Sequence, residues 1–78
     1  MPAVTLYSAS WCVYCRVAKR FLDEQQVPYI EIDIDQDQDA AKRVEQWNNG
    51  DRIIPTLDID GVVLTNPSPT QLRQVLGL

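Results

Sequence analysis

Cys12 and Cys15 are the only cysteines in this chain, and there is no histidine. They stand two residues apart in Trp11-Cys12-Val13-Tyr14-Cys15-Arg16. The run Val4-Thr5-Leu6-Tyr7 before them reads as a strand, and Val13 to Leu22 reads as a helix. Cys12 therefore falls where the C-terminal end of a strand turns into a helix N-terminus. The first turn of a helix has unpaired N–H groups and a partial positive charge, and both favour an anion. A thiol placed there gives up its proton more readily, and the thiolate is the nucleophile. Cys15, three residues on, shares the helix face with Cys12, so a disulfide closing a very small ring is sterically reasonable. Arg16, one turn after Cys12, is either a stabiliser of the thiolate or a solvated base. No carboxylate occurs between Pro2 and Leu22 to oppose ionisation.

Other uses of two cysteines fit less well. A disulfide across a two-residue gap removes little chain entropy and staples almost nothing. A zinc site needs four ligands and would have to recruit carboxylates here, so no metal ligand is assigned. A metal or cluster shared between two chains stays open as an alternative. Cys-x-x-Cys beside a strand–helix–strand pattern reads first as redox chemistry.

The elements that must position the pair follow from periodicity. Ala3 to Ser8 is the first strand, and Ala9-Ser10-Trp11 is the loop that delivers Cys12. The first helix is expected to carry Val13, Val17, Ala18, Phe21 and Leu22 inward, and to end before Pro28. Tyr29 to Ile34 alternates with period two, which predicts a strand with Ile30, Ile32 and Ile34 on its buried face. The acids Glu31, Asp33, Asp35, Asp37 and Asp39 alternate with them. A calcium loop of the EF-hand type needs a glycine at its sixth position, which this stretch lacks, so the acids read as a solvated edge leading into a helix start. Asp39 to Asn48 is the second helix, with Ala40, Ala41, Val44 and Trp47 on its apolar side, stopped by Asn48-Asn49-Gly50. Ile53 to Ile59 is a strand, Asp60-Gly61 a two-residue hairpin turn, and Val62-Val63-Leu64 the returning strand. Ser68-Pro69-Thr70-Gln71 is a capping box with proline at the first helical position, and the helix it opens buries Leu72, Val75 and Leu76. The order is β-α-β-α-β-β-α, an α/β chain with a four-stranded mixed sheet and three helices.

Composition sets the remaining bounds. Seventy-eight residues, 45% of them apolar, are expected to form a single domain over 1–78. Eleven acids against seven bases give a net charge of −4, which leaves no nucleic-acid footprint. Met1-Pro2 leads straight into the first strand with no leader pattern, and no apolar stretch reaches membrane-spanning length. The expected compartment is the cytoplasm, where thiols are kept reduced.

With Cys-x-x-Cys closing the first strand and Ile54-Pro55-Thr56 opening the third, the chain resembles the thioredoxin fold. The tyrosine in the motif and the small size make it similar to the glutaredoxin family. Trp11-Cys12-Val13-Tyr14-Cys15, Ile54-Pro55-Thr56 and Thr65-Asn66-Pro67 resemble its mycoredoxin-like branch. The resemblance covers essentially the whole chain. It implies that Cys12 attacks mixed disulfides between client proteins and a small thiol, with Cys15 or a second small thiol resolving the adduct. It also implies a cis Pro55, with the Ile54 backbone pairing to the substrate.

Tyr14 either packs its ring on the small thiol or is a surface aromatic, and Trp11 either flanks the sulfur or caps the core. Thr65, Asn66 and Pro67 stand where glutaredoxins carry a glycine-rich, acid-containing turn that holds glutathione. That turn is missing here, as is the lysine just before the motif, which weighs toward mycothiol or bacillithiol over glutathione. No bound cofactor is implied. The expected partners are client proteins, the small thiol and its reductase, and the expected state is a monomer. Two alternatives accompany this reading: a redoxin reduced by thioredoxin reductase that serves ribonucleotide reductase, and an iron–sulfur carrier acting as a dimer.

Overall fold

The computed structural model describes residues 2–78; the expectations that touch Met1 lie outside the described residues. Seven elements follow in order: β1 (Val4–Ser8), α1 (Val13–Glu24), β2 (Ile30–Asp33), α2 (Gln38–Trp47), β3 (Thr56–Ile59), β4 (Val62–Thr65) and α3 (Pro69–Leu76). The strand order is β2-β1-β3-β4. β1 pairs parallel with β2, setting Tyr7 beside Ile32 and Ser8 beside Asp33. It pairs antiparallel with β3, setting Leu6 beside Leu57 and Tyr7 beside Thr56, and β3 pairs antiparallel with β4.

Period two in β1 and β3 divides the core between the two faces of the sheet. Val4, Leu6, Leu57 and Ile59 pack with Ala18 and Leu22 of α1 and Leu72 of α3. Tyr7 and Ile34 pack on the other face with Ala40, Ala41 and Val44 of α2, and Ile32, Trp47 and Ile54 join them. The Tyr7 and Trp47 rings meet edge to face at 5.4 Å. The two central strands thus lie between helices, and both loops that meet at the cysteines leave from them.

The local signals hold. Asp60 and Gly61 both take positive φ, 51° and 88°, which suits a two-residue turn matching the twist of its strands. Ser68 and Gln71 form both hydrogen bonds of the capping box, with Pro69 in the first turn of α3. Three expectations change. Val13 and Val17 are exposed; the inward stripe of α1 is Cys15, Ala18 and Leu22, and Val17 shares a neighbouring stripe with Tyr14 and Phe21. Ile30 is 66% exposed, because the α2 cluster reaches Ile32 of the outer strand and Ile34 just past its end, and stops short of Ile30. The third strand begins at Thr56, and the residues before it form the loop that faces Cys12.

Candidate active site

Cys12 occupies the N-cap of α1, with extended backbone angles. Its Sγ accepts the Cys15 backbone N–H at 3.1 Å, the role a serine or aspartate oxygen usually plays at such a position. Its own N–H donates to the Ala9 carbonyl at 3.2 Å, which closes the loop beneath it. The residue is 5% exposed, and the thiol donates to the Ile54 carbonyl at 3.9 Å. Both cysteines are free.

Cys15 is 1% exposed, and its thiol is pushed up to about 12. Burial is the main cause, because it penalises the charged form. The Cys12 sulfur and the charges of Cys12 and Glu31 add to it, while a backbone hydrogen bond with Ala9 pulls the other way. Glu31 enters from β2. Its Oε2 accepts from the buried Ser8 hydroxyl at 2.7 Å and lies 3.1 Å from Lys19 Nζ. Those contacts, Ser8 first, hold its carboxyl below the usual range against the opposing effect of burial. The stretch around the cysteines carries no carboxylate of its own, but the fold brings one to Cys15 from another strand.

Opposite Cys12, the Ile54–Pro55 peptide is cis. Three side chains from different elements hold that loop. The Thr56 hydroxyl, fully buried, donates to the Ile53 carbonyl at 2.6 Å. Asn48 Nδ2, just past α2, donates to the Val44 carbonyl at 2.9 Å and reaches Thr56 Oγ1 at 3.4 Å. Asn48 Oδ1 accepts from the Thr65 hydroxyl at 2.6 Å. The Asn66 backbone N–H then donates to the Pro55 carbonyl at 2.7 Å, with Asn66 at a φ of +44°, a conformation asparagine tolerates.

Between α1 and α3 runs a groove of about 300 Å³ lined by Tyr14, Val17, Ala18, Phe21, Asn66, Pro67, Ser68, Pro69, Gln71 and Leu72. None of these side chains is charged. Tyr14, 66% exposed, is the groove residue that stands between the two cysteines in the chain.

A thiol pair at a strand-to-helix junction beside a cis-proline loop can exchange sulfur–sulfur bonds, and comparison with known proteins agrees. The glutaredoxin family model matches residues 4–64. The chain belongs to the glutaredoxin family. It is 46% identical over 68 residues to mycoredoxin 1 of Corynebacterium glutamicum, a match covering 86% of this chain and 84% of that protein. A candidate glutaredoxin of Mycobacterium tuberculosis is 40% identical over 75 residues, covering 95% and 89%. The crystal structure of the thioredoxin-like protein BC3987 superposes with a TM-score of 0.82 at 29% identity, covering 92% and 97%. This glutaredoxin is a thiol–disulfide oxidoreductase with a Cys-x-x-Cys pair.

Of the residues expected at the site, Trp11 adjoins Cys12 in the chain, Tyr14 lies between the cysteines, and Ile54 faces Cys12 through its carbonyl. The Pro55 carbonyl is bonded to Asn66, and Asn66 and Pro67 share the groove with Tyr14. Thr65 sits one step back, its hydroxyl engaged by Asn48. The Arg16 guanidinium donates to the Ser10 carbonyl at 3.3 Å and so braces the loop that delivers Cys12. Trp11 is 65% exposed, and its indole N–H donates to Asp35 Oδ2 at 2.8 Å. The alternating acids have separate local tasks: Asp33 Oδ1 accepts the Asp35 N–H, Asp35 takes the indole, and Asp37 caps α2 through the Ala40 N–H. Sequence reasoning missed Glu31, Asp35 and Asn48 as residues of the site. Only Asn48 carried a signal, as part of a helix stop.

Proposed function

We propose that this glutaredoxin reduces mixed disulfides between client proteins and a low-molecular-weight thiol, with Cys12 as the nucleophile. The supporting observation is the Cys12 sulfur at the N-cap of α1, receiving the Cys15 N–H, with the Ile54 carbonyl opposite and an uncharged groove beside it. The Cys12 thiolate attacks the small-thiol sulfur of the mixed disulfide. A new bond joins it to Cys12, and the client departs as a thiolate that takes a proton from water. A second small-thiol thiolate then attacks the adduct, giving the symmetric small-thiol disulfide and restoring Cys12. The alternative second step, attack by Cys15, would release the small thiol and leave a Cys12–Cys15 disulfide. A thiol buried and pushed up to about 12 is almost wholly protonated at neutral pH, which favours the intermolecular route.

The groove also favours one small thiol. Glutathione carries two carboxylates and an ammonium, and bacillithiol carries a malyl diacid. Charged groups leaving water need charged or hydrogen-bonding partners, and the groove walls offer no charge. Mycothiol presents an uncharged sugar–inositol. Its apolar faces suit Tyr14 and Pro67, and its hydroxyls suit Asn66 and Gln71. We therefore rank mycothiol first, and take the cytoplasm as the compartment and a monomer as the working unit. Among the described residues no helix is long and apolar enough to cross a membrane.

The test is turnover of a protein mixed disulfide by wild type, Cys12→Ser and Cys15→Ser with mycothiol, bacillithiol or glutathione as donor. Cys12→Ser should lose all activity, and Cys15→Ser should keep it with mycothiol. Silence with every small thiol, alongside efficient reduction of wild type by thioredoxin reductase, would favour the ribonucleotide-reductase redoxin.

A further inference from the structure

The two aromatic residues that flank Cys12 are held on different sides of it. Tyr14 belongs to the α1–α3 groove. Trp11 is not part of that groove; its indole is bonded to Asp35 in the turn that follows β2, at one edge of the sheet, whereas Asn66 of the groove follows β4, at the other edge. Asp35 is itself fixed, because its N–H donates to Asp33 Oδ1 at 2.8 Å. A large apolar ring, mostly open to solvent, is thus anchored at its polar edge next to the attacking sulfur.

Thiol–disulfide exchange gives these two sides different occupants. Attack is in line, so the three sulfurs stand in a row, and the departing sulfur lies about 4 Å beyond Cys12 Sγ, two S–S bond lengths. The small thiol is attached to the middle sulfur, and its carbon skeleton can turn aside into the groove. The departing polypeptide must rest elsewhere at the mouth of the site, where Trp11 stands. An unanchored tryptophan would lose rotamer freedom when a client packed on it, a cost that weakens binding by a factor of about two to ten. An anchored one has already lost that freedom.

We propose that Asp35 is a positioning residue that holds Trp11 as the docking wall for the client polypeptide. This rests on Cys12 acting as the nucleophile toward protein mixed disulfides.

The experiment measures KM separately for a protein mixed disulfide and for mycothiol as donor. Asp35→Ala should raise KM for the protein substrate about fivefold, with kcat and the donor KM within a factor of about two of wild type. Asp35→Asn keeps a carbonyl acceptor for the indole and should restore the protein KM. Trp11→Phe should match Asp35→Ala, and combining the two should add nothing further. The indole N–H resonance of Trp11 should shift in Asp35→Ala, while the rest of the amide spectrum shows the fold intact. An unchanged protein KM in Asp35→Ala, or an equal rise in both KM values, overturns the proposal and leaves the role of Cys12 standing. Absence of wild-type turnover on protein mixed disulfides overturns both.

Discussion

Displacement of a small thiol from Cys12 by Cys15 should be slow at neutral pH and should speed up steeply with pH. The attacking species is the Cys15 thiolate. With the thiol pushed up to about 12, roughly one molecule in 100,000 carries that thiolate at pH 7. An ordinary cysteine, near 9, would have about one in a hundred, so the deficit is of the order of 1,000-fold. Bridging Cys12 to another sulfur removes its charge and alters its hydrogen bond to Cys15, which recovers part of this. Burial, the largest cause, persists. Glu31 adds to the deficit through its negative charge, and Glu31→Gln keeps an acceptor for the Ser8 hydroxyl while removing that charge. The assay loads Cys12 with a coloured aromatic thiol and follows its release in a single turnover between about pH 6 and pH 10, with Cys15→Ser as the blank. The expected rate climbs about tenfold per pH unit and does not level off before about pH 10. Glu31→Gln should lie above wild type at every pH on the climb. A wild-type profile that flattens near about pH 9, or a Glu31→Gln variant slower than wild type, would refute the reasoning.

Two other consequences concern stability. Folded Cys15 keeps a proton that the unfolded chain gives up near 9, so its contribution is intact below that pH and declines as pH rises toward about 12. Urea titrations should show wild type losing about 1.4 kcal/mol relative to Cys15→Ser between neutral pH and about pH 10. Thr56→Val deprives the Ile53 carbonyl and Asn48 amide of their hydroxyl partner at a fully buried position, and should cost about 1–3 kcal/mol. The loop facing Cys12 loosens with it, so turnover should fall beyond what the shifted urea midpoint accounts for.

Features set by neighbouring residues were legible in the sequence. The strand-to-helix placement of Cys12, the Asp60-Gly61 turn and the Ser68 capping box each depend on a few adjacent positions and came out as read. Apolar stripes were legible only in part. Periodicity locates an apolar side of α1 but does not say how much of it another element covers, and α3 leaves Val17 on the groove wall. Ile30 fits the alternation of its strand, yet an outer strand is covered only as far as its helix extends. Contacts between distant positions were invisible. Glu31 reaches Ser8 across 23 positions, Asp35 reaches Trp11 across 24, and Thr65 reaches Asn48 across 17. An acid in an alternating run carries no mark of which partner the fold will give it.

The sulfur that reacts is also the sulfur that caps α1. A sulfur bearing negative charge is a stronger acceptor for the Cys15 N–H than a sulfur bridged to another. A disulfide at Cys12 therefore slackens the first turn of the helix, and its reduction tightens that turn again. The folded chain favours its own reduced form by the difference, and stabilising the reduced form of a redox pair makes that pair more oxidising. Helix α1 thus acts as a counterweight on the chemistry: it eases the acceptance of electrons from an incoming thiol and sets a limit on how strong a reductant this glutaredoxin can be.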